Sequence, residues 1–281
     1  MDFPAIILYN VLTLFCDPEF IVREAIFRMV YDLQKASMWK RISAFLFDII
    51  LTGVITVLFA FLLSWATGYD GWQQTFTARY GGIEDEYQVK LDVSYEEYQA
   101  LTEDQLTELN AAYEALRQDE TAMKAYQMIR TLSQLIVSLS ILLGILLWEF
   151  VLPLKLGDGR TLGKKIFGLA LMRTDGVRVN TVTLFVRAFL GKYTIEIMIP
   201  VLLIMMTYWG AIGIIAPIIL ALILIVELGV MFFTPTNSMI HDLLANTVVV
   251  DYMSQMIFDT PEAMIAYKEK IAAEQALRET Y

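Results

Sequence analysis

Four long apolar runs dominate the chain, roughly Ile42–Trp65, Leu132–Leu154, Val182–Tyr208 and Gly210–Phe233. Each reaches the ~20 residues that an α-helix needs to cross a hydrocarbon core. Polar stretches separate them and predict the organisation of the rest. An N-terminal segment covers 1–37, a first span 38–65, a polar insert 66–128 and a second span 129–154. A loop covers 155–181, a pair of spans 182–234, a short segment 235–253 and a polar tail 254–281. The predicted class is an all-α membrane protein with four transmembrane helices.

The N-terminal segment does not read as a cleavable signal. Phe3 to Cys16 is apolar, but Asp2 stands where positive charge is expected and no small-residue cleavage site follows. Asp17-Pro18-Glu19 offers a cap, a proline at the first helical position and an acid in the first turn. Val22, Ile26, Met29, Val30 and Leu33 then share one helix face, opposite Arg23, Glu24 and Lys35. That pattern predicts helices lying on or dipping into the membrane surface; a buried bundle helix has the same periodicity.

Local signals place smaller elements. In the insert, "YQVKLDV" (87–93) alternates like a strand. Ser94-x-x-Glu97 and Thr102-x-x-Gln105 have capping-box spacing and predict helices near 95–101 and 103–128. In the loop after the second span, Asp175-Gly176 within "LALMRTDGVRVN" signals a hairpin. "NTVVVDY", after the last span, is a further strand-like run, and together they predict a small cytoplasmic β-element. Thr260-Pro261-Glu262 starts a polar C-terminal helix.

Composition agrees with the runs: 57% of residues are hydrophobic and mean hydropathy is +0.55, beyond the usual range of a soluble domain. Charge orients the spans. The 66–128 stretch holds thirteen acids and four bases, net −9, whereas 155–181 holds six bases and two acids, net +4. Lys35, Lys40 and Arg41 precede the first span. Basic loops face the cytoplasm, so a multi-pass plasma-membrane protein with both termini inside and the acidic insert outside is expected. Trp65, Trp72 and Trp209 then fall near the outer interface. The acids of the insert suit a solvated surface, and equally a surface that attracts cations or a protein partner. A net charge of −10 argues against nucleic acid, and the single cysteine, Cys16, excludes an internal disulfide.

The two halves can be superposed by sequence. With a shift of 78, "GRTLGKKIFGLALM" (159–172) lies over "NSMIHDLLANTVVV" (237–250), and Glu149 falls on Glu227. With a shift of 144, "AFLFD" (44–48) lies over "AFLGK" (188–192). The difference, 144 − 78 = 66, matches the extra length of the insert. Two parallel pseudo-repeats of span, loop, span and surface helix are predicted, a construction known among transporters. Helical hairpins with shared periodicity would look alike.

Five ionisable groups stand out within the spans: Asp48, Glu149, Lys192, Glu196 and Glu227. A charge at the centre of a span costs about 2.5–3.5 kcal/mol on insertion scales. Such groups pair, or they line a cavity. Lys192 and Glu196 share a helix face, and the repeat brings Asp48 and Lys192 to equal depth, where they could pair. Four acids against one base leaves three in excess. That calls for protonated acids, water or a bound cation. Static pairs that fix helix register are the other reading.

Arg41 at the mouth of the first span, Asp48 within it and Asp242 in "HDLLANTVVV" together resemble the RDD family, named for one arginine and two aspartates. "HDLLANTVVV" is similar to that family's "HDLLAGTVVV", with Asn246 in place of the usual glycine. "GRTLGKKIFGLALMRTDG" resembles its "GQTLGKRLLGLRVVD..G" segment. The resemblance covers about 38–65 and 130–251. It implies a membrane protein and agrees with transport of a small ligand or cation, of cation/proton exchange type. From the residues themselves, an Arg41–Asp242 clamp is expected at the inner surface, with Asn237 or Ser238 capping the helix that carries Asp242. Catalytic motifs are absent, and Glu149, Glu227 and His241 lack metal-ligand spacing. An enzyme, a cofactor or a metal is therefore not expected. Four spans are few for a complete path, so transport calls for a homodimer. The alternative is an accessory or scaffold protein that engages a partner through its acidic extracytoplasmic insert.

Overall fold

The computed structural model describes residues 34–279. The interfacial helices expected over 1–37 lie outside the described residues, except for 34–37. Two compact units form. Residues 52–144 make one, and residues 34–51 with 145–279 make the other.

Among the described residues, four helices are long and apolar enough to cross a membrane: α1 (Met38–Thr67), α5 (Glu120–Leu156), α7 (Thr181–Tyr208) and α8 (Ile215–Phe233). They match the four apolar runs. Their outward faces expose side chains such as Phe61, Leu62, Ile218, Leu222 and Phe232, as lipid-facing surfaces do. Two of the helices contain widened, π-type turns, over Leu146–Val151 in α5 and Val186–Met198 in α7. Those turns carry Glu149, Arg187, Lys192 and Glu196.

The insert is helical: α2 (Tyr69–Tyr87), α3 (Tyr95–Gln99) and α4 (Glu103–Gln118). The strand expected over 87–93 does not form. α2 runs to Tyr87, and the segment after it is irregular because it buries Leu91 against Ile83, Leu109 and Ala112. The Tyr113 hydroxyl donates to the Leu91 carbonyl at 2.7 Å and fixes it there. Both capping boxes are formed. Helix α4 stops at 118 rather than 128, because the Asp119 carboxylate caps the next helix by accepting from Thr121 and Ala122 amides at 2.9 Å. Ser94→Ala and Thr102→Ala are each expected to cost about 1 kcal/mol of local stability. Hydrogen exchange should then speed up over 95–118 and stay unchanged in α7; uniform exchange would contradict this.

In the other unit, the strand-like runs on either side of the last two spans pair with each other. β1 (Leu169–Arg173) and β2 (Thr247–Asp251) are antiparallel, with Leu171 opposite Val249. The hairpin expected at Asp175-Gly176 is reduced to a turn closed by Arg173 and Val177, with a bridge from Met172 to Arg178. Both faces of the pair are buried. Leu169, Leu171 and Val249 lie in one cluster with Ala44, and Ala170, Met172, Val248 and Val250 form another. Near each strand lies a five-residue helix, α6 (Leu162–Ile166) before β1 and α9 (Ile240–Leu244) before β2. The starts of both helices and both strands are offset by 78 residues: 240 − 162 and 247 − 169. Residues with left-handed backbone recur at that offset, Gly159 with Asn237 and Gly168 with Asn246. Asparagine tolerates positive φ better than other side chains, so Asn246 can stand at a glycine position. The polar tail forms α10 (Pro261–Glu279), with Thr260 accepting from the Ala263 amide as its cap.

Candidate functional site

The buried charges collect where α1, α5 and α7 meet the two short helices α6 and α9. At one end Asp48 is 3% exposed. It accepts from the Trp148 indole at 2.9 Å, the Thr161 hydroxyl at 2.5 Å and the Gly163 backbone N–H at 2.9 Å. Gly163 is the second residue of α6, so Asp48 caps that helix from a different element. The approach demands glycine, since a Cβ there would sit 2.5 Å from the Ala44 carbonyl. The pair expected between Asp48 and Lys192 is replaced: Lys192 ion-pairs with Glu149 instead.

Glu149 is 2% exposed and is the hub. Three cations converge on it: Lys192, Arg187 at 3.1 Å and Lys164 at 3.7 Å. Lys164 also donates to Thr161 at 3.2 Å, which joins this hub to Asp48. Burial pushes the Lys164 ammonium below the ordinary lysine range, and the Glu149 charge opposes the shift.

Arg187 extends the chain of contacts. Its Nη1 meets Glu149, its Nε donates to Asp242 at 2.9 Å, and its Nη2 lies 2.8 Å from His241 Nε2. A planar guanidinium can serve three acceptors at once, which an ammonium cannot do in a fixed fork. Burial alone would raise the Asp242 carboxyl, but its neighbours, Arg187 first among them, together outweigh burial and hold the group well below the ordinary carboxylate range. Thr247 adds a hydroxyl to Asp242 at 3.0 Å.

The clamp expected between Arg41 and Asp242 is therefore made by Arg187 instead. Arg41 donates to the Thr236 carbonyl at 2.9 Å and acts on Asp242 through its field. Helix α9 also differs from expectation. Met239 is its N-cap, without a side-chain cap. Glu196, from α7, accepts from the His241 backbone N–H at 2.8 Å and from His241 Nδ1 at 2.7 Å. Lys192 and Glu196 thus turn to partners on different elements rather than to each other.

Charges in the cluster balance. Asp48, Glu149, Glu196 and Asp242 supply four negative charges; Lys164, Arg187, Lys192 and Arg41 supply four positive ones. Arg187 and Lys164 offset two of the three acids in excess within the spans. Arg187 sits five residues inside the third apolar run, in plain view. Lys164 comes from a loop, and nothing in the sequence marks it as buried. Glu227 alone stands outside this balance. Its Oε1 is the one buried side-chain oxygen among the described residues without a hydrogen-bond partner.

The three motif residues thus lie in one unit. Asp48 and Asp242 sit at opposite ends of a continuous set of contacts, and Arg41 stands beside Asp242. No curated protein and no solved structure matches the chain. The family model described as RDD family matches residues 35–246, the stretch that holds all four apolar helices and every charge in the cluster. The chain belongs to the RDD family of membrane proteins.

Proposed function

We propose that the protein exchanges a small cation for protons across the plasma membrane, with Glu227 as the carboxylate that takes the cation. The observation that carries this reading is the oxygen of Glu227 that has no hydrogen-bond partner among the described residues, in an otherwise apolar helix. A carboxylate at such a place is costly unless something occupies it. Every other acid of the cluster has fixed partners and is poorly placed to release anything.

Two parallel pseudo-repeats would form the path. The 78-residue offset supports them, as does the strand pairing: Leu171 lies opposite Val249, its own counterpart at that offset, as a local two-fold axis requires. Each half also caps its short helix with an acid from its first span, Asp48 on Gly163 and Glu196 on His241. The charge asymmetry of the loops supports cytoplasmic termini, and the small number of spans supports a homodimer.

Flux in proteoliposomes tests the proposal. Wild-type protein should move Na⁺ or K⁺ against a proton gradient. Glu227→Gln should slow this about tenfold or more, the effect of about 1.4 kcal/mol or more, with an unchanged melting temperature. Absence of flux under any gradient would overturn it and favour a scaffold. The separate apolar core of the acidic insert, around Leu91 and Leu109, supports that second reading.

A further inference from the structure

The geometry points to His241 as the proton-binding site of this exchange: a second proton on its ring would swap its Arg187 contact for one to Asp242. The inference rests on the exchange reading for its role, and on hydrogen-bond chemistry for its location.

Arg187 Nη2 lies 2.8 Å from His241 Nε2. A guanidinium only donates, so Nε2 must offer its lone pair and carry no hydrogen. The ring hydrogen then resides on Nδ1, which faces both oxygens of Glu196 at 2.7 and 2.8 Å. The charge balance of the cluster, four against four, agrees with a neutral ring. The arrangement leaves one definite place for a further proton, the Nε2 lone pair. Histidine is the side chain suited to such exchange near neutral pH.

When that proton binds, the Nε2–H bond forms and the hydrogen bond from Arg187 is lost, because two donors then face each other. A new acceptor is close. Asp242 Oδ2, the carboxylate oxygen that Arg187 Nε does not use, is 3.6 Å from Nε2. Nδ1–H stays on Glu196 in both states. The groups that face the ring are thus Arg187 and Glu196 from α7 and Asp242 from its own helix, with Glu149 and Lys192 behind Arg187. Helix α8, which carries Glu227, packs against α9, which carries His241. A proton on His241 therefore adds positive charge beside the helix that carries the cation carboxylate.

His241 is the only histidine in the chain, so a single imidazole signal reports on it. Nitrogen-15 spectra of the full-length protein, purified through a histidine-free tag, should show a neutral ring protonated at Nδ1 at high pH. The signal should become imidazolium as pH falls. A ring protonated at Nε2, or an imidazolium at every pH, would overturn the assignment, whatever the flux. In the flux assay, His241→Asn keeps a donor towards Glu196 but has no second proton site. The exchange should lose its pH dependence in this variant. A folded His241→Asn protein with the wild-type pH profile would overturn the role. If the wild type moves no cation at all, the exchange reading fails, and the spectra still decide the proton site.

Discussion

Replacing Arg187 by methionine should lower the melting temperature in detergent by roughly 10 °C, the shift expected for about 3–5 kcal/mol. The guanidinium is 4% exposed and is the ion-pair partner of Asp242, as well as one of three on Glu149. Removing it leaves two buried carboxylates under-compensated, and that penalty exceeds the value of the pair itself. The same argument predicts partial recovery in Arg187→Met/Asp242→Leu, which removes the stranded charge. Arg187→Lys should recover less, since an ammonium on a flexible stem cannot hold Glu149, Asp242 and His241 in one fork. Thermal unfolding followed by size-exclusion chromatography measures this series. A single mutant as stable as wild type, or a double mutant worse than the single, would refute the argument.

Asp48→Ala should be similarly damaging for a different reason. It strands three donors, the Trp148 indole, the Thr161 hydroxyl and the Gly163 amide, each now bonded to the carboxylate. An orphaned buried donor costs about 1–3 kcal/mol, so a total loss of about 3 kcal/mol or more is expected. Asp48→Asn keeps an acceptor for the Gly163 amide and should fall between. Asp48→Glu should not rescue, because α6 lies too close to α1 for an added methylene; already a Cβ at Gly163 would meet the Asp48 carboxylate at 2.8 Å. Loss of stability in step with loss of flux identifies Asp48 as a positioning residue. Loss of flux in a fully stable Asp48→Asn protein would instead make it part of the path.

Asp48 was conspicuous as an acid in an apolar run, yet it is held by three fixed donors. Glu227 is equally visible in the sequence, and the structure singles it out because its Oε1 has no hydrogen-bond partner among the described residues. Asp48 lies at matching depth to Lys192, but a long side chain can reach several acids. Its choice of Glu149 depends on how α5 and α7 pack. The Arg41–Asp242 clamp is replaced for the same reason: a nearer guanidinium, Arg187, takes the site and Arg41 turns to the Thr236 carbonyl.

What the sequence determined by itself are the features with local causes. The four spans follow from uninterrupted apolar length, the insert helices from capping boxes at Ser94 and Thr102, and the C-terminal helix from Thr260-Pro261. The 78-residue offset was also legible, since equivalent turns need equivalent backbone, glycine at 159 and 168 and asparagine at 237 and 246. Only the tertiary structure decided who meets whom. Strand β1 chose β2 over a local hairpin because both faces of that pair could be buried. Residues 87–93 lost their strand because Leu91 found a core. The partners of each buried charge were settled by approach distances within about 3 Å, which depend on helix packing and on residues such as Lys164 that carry no mark of burial in the sequence. An ion pair is strong only at contact and in a low dielectric, so its identity is set by the last ångström of packing, where periodicity and composition have no resolution.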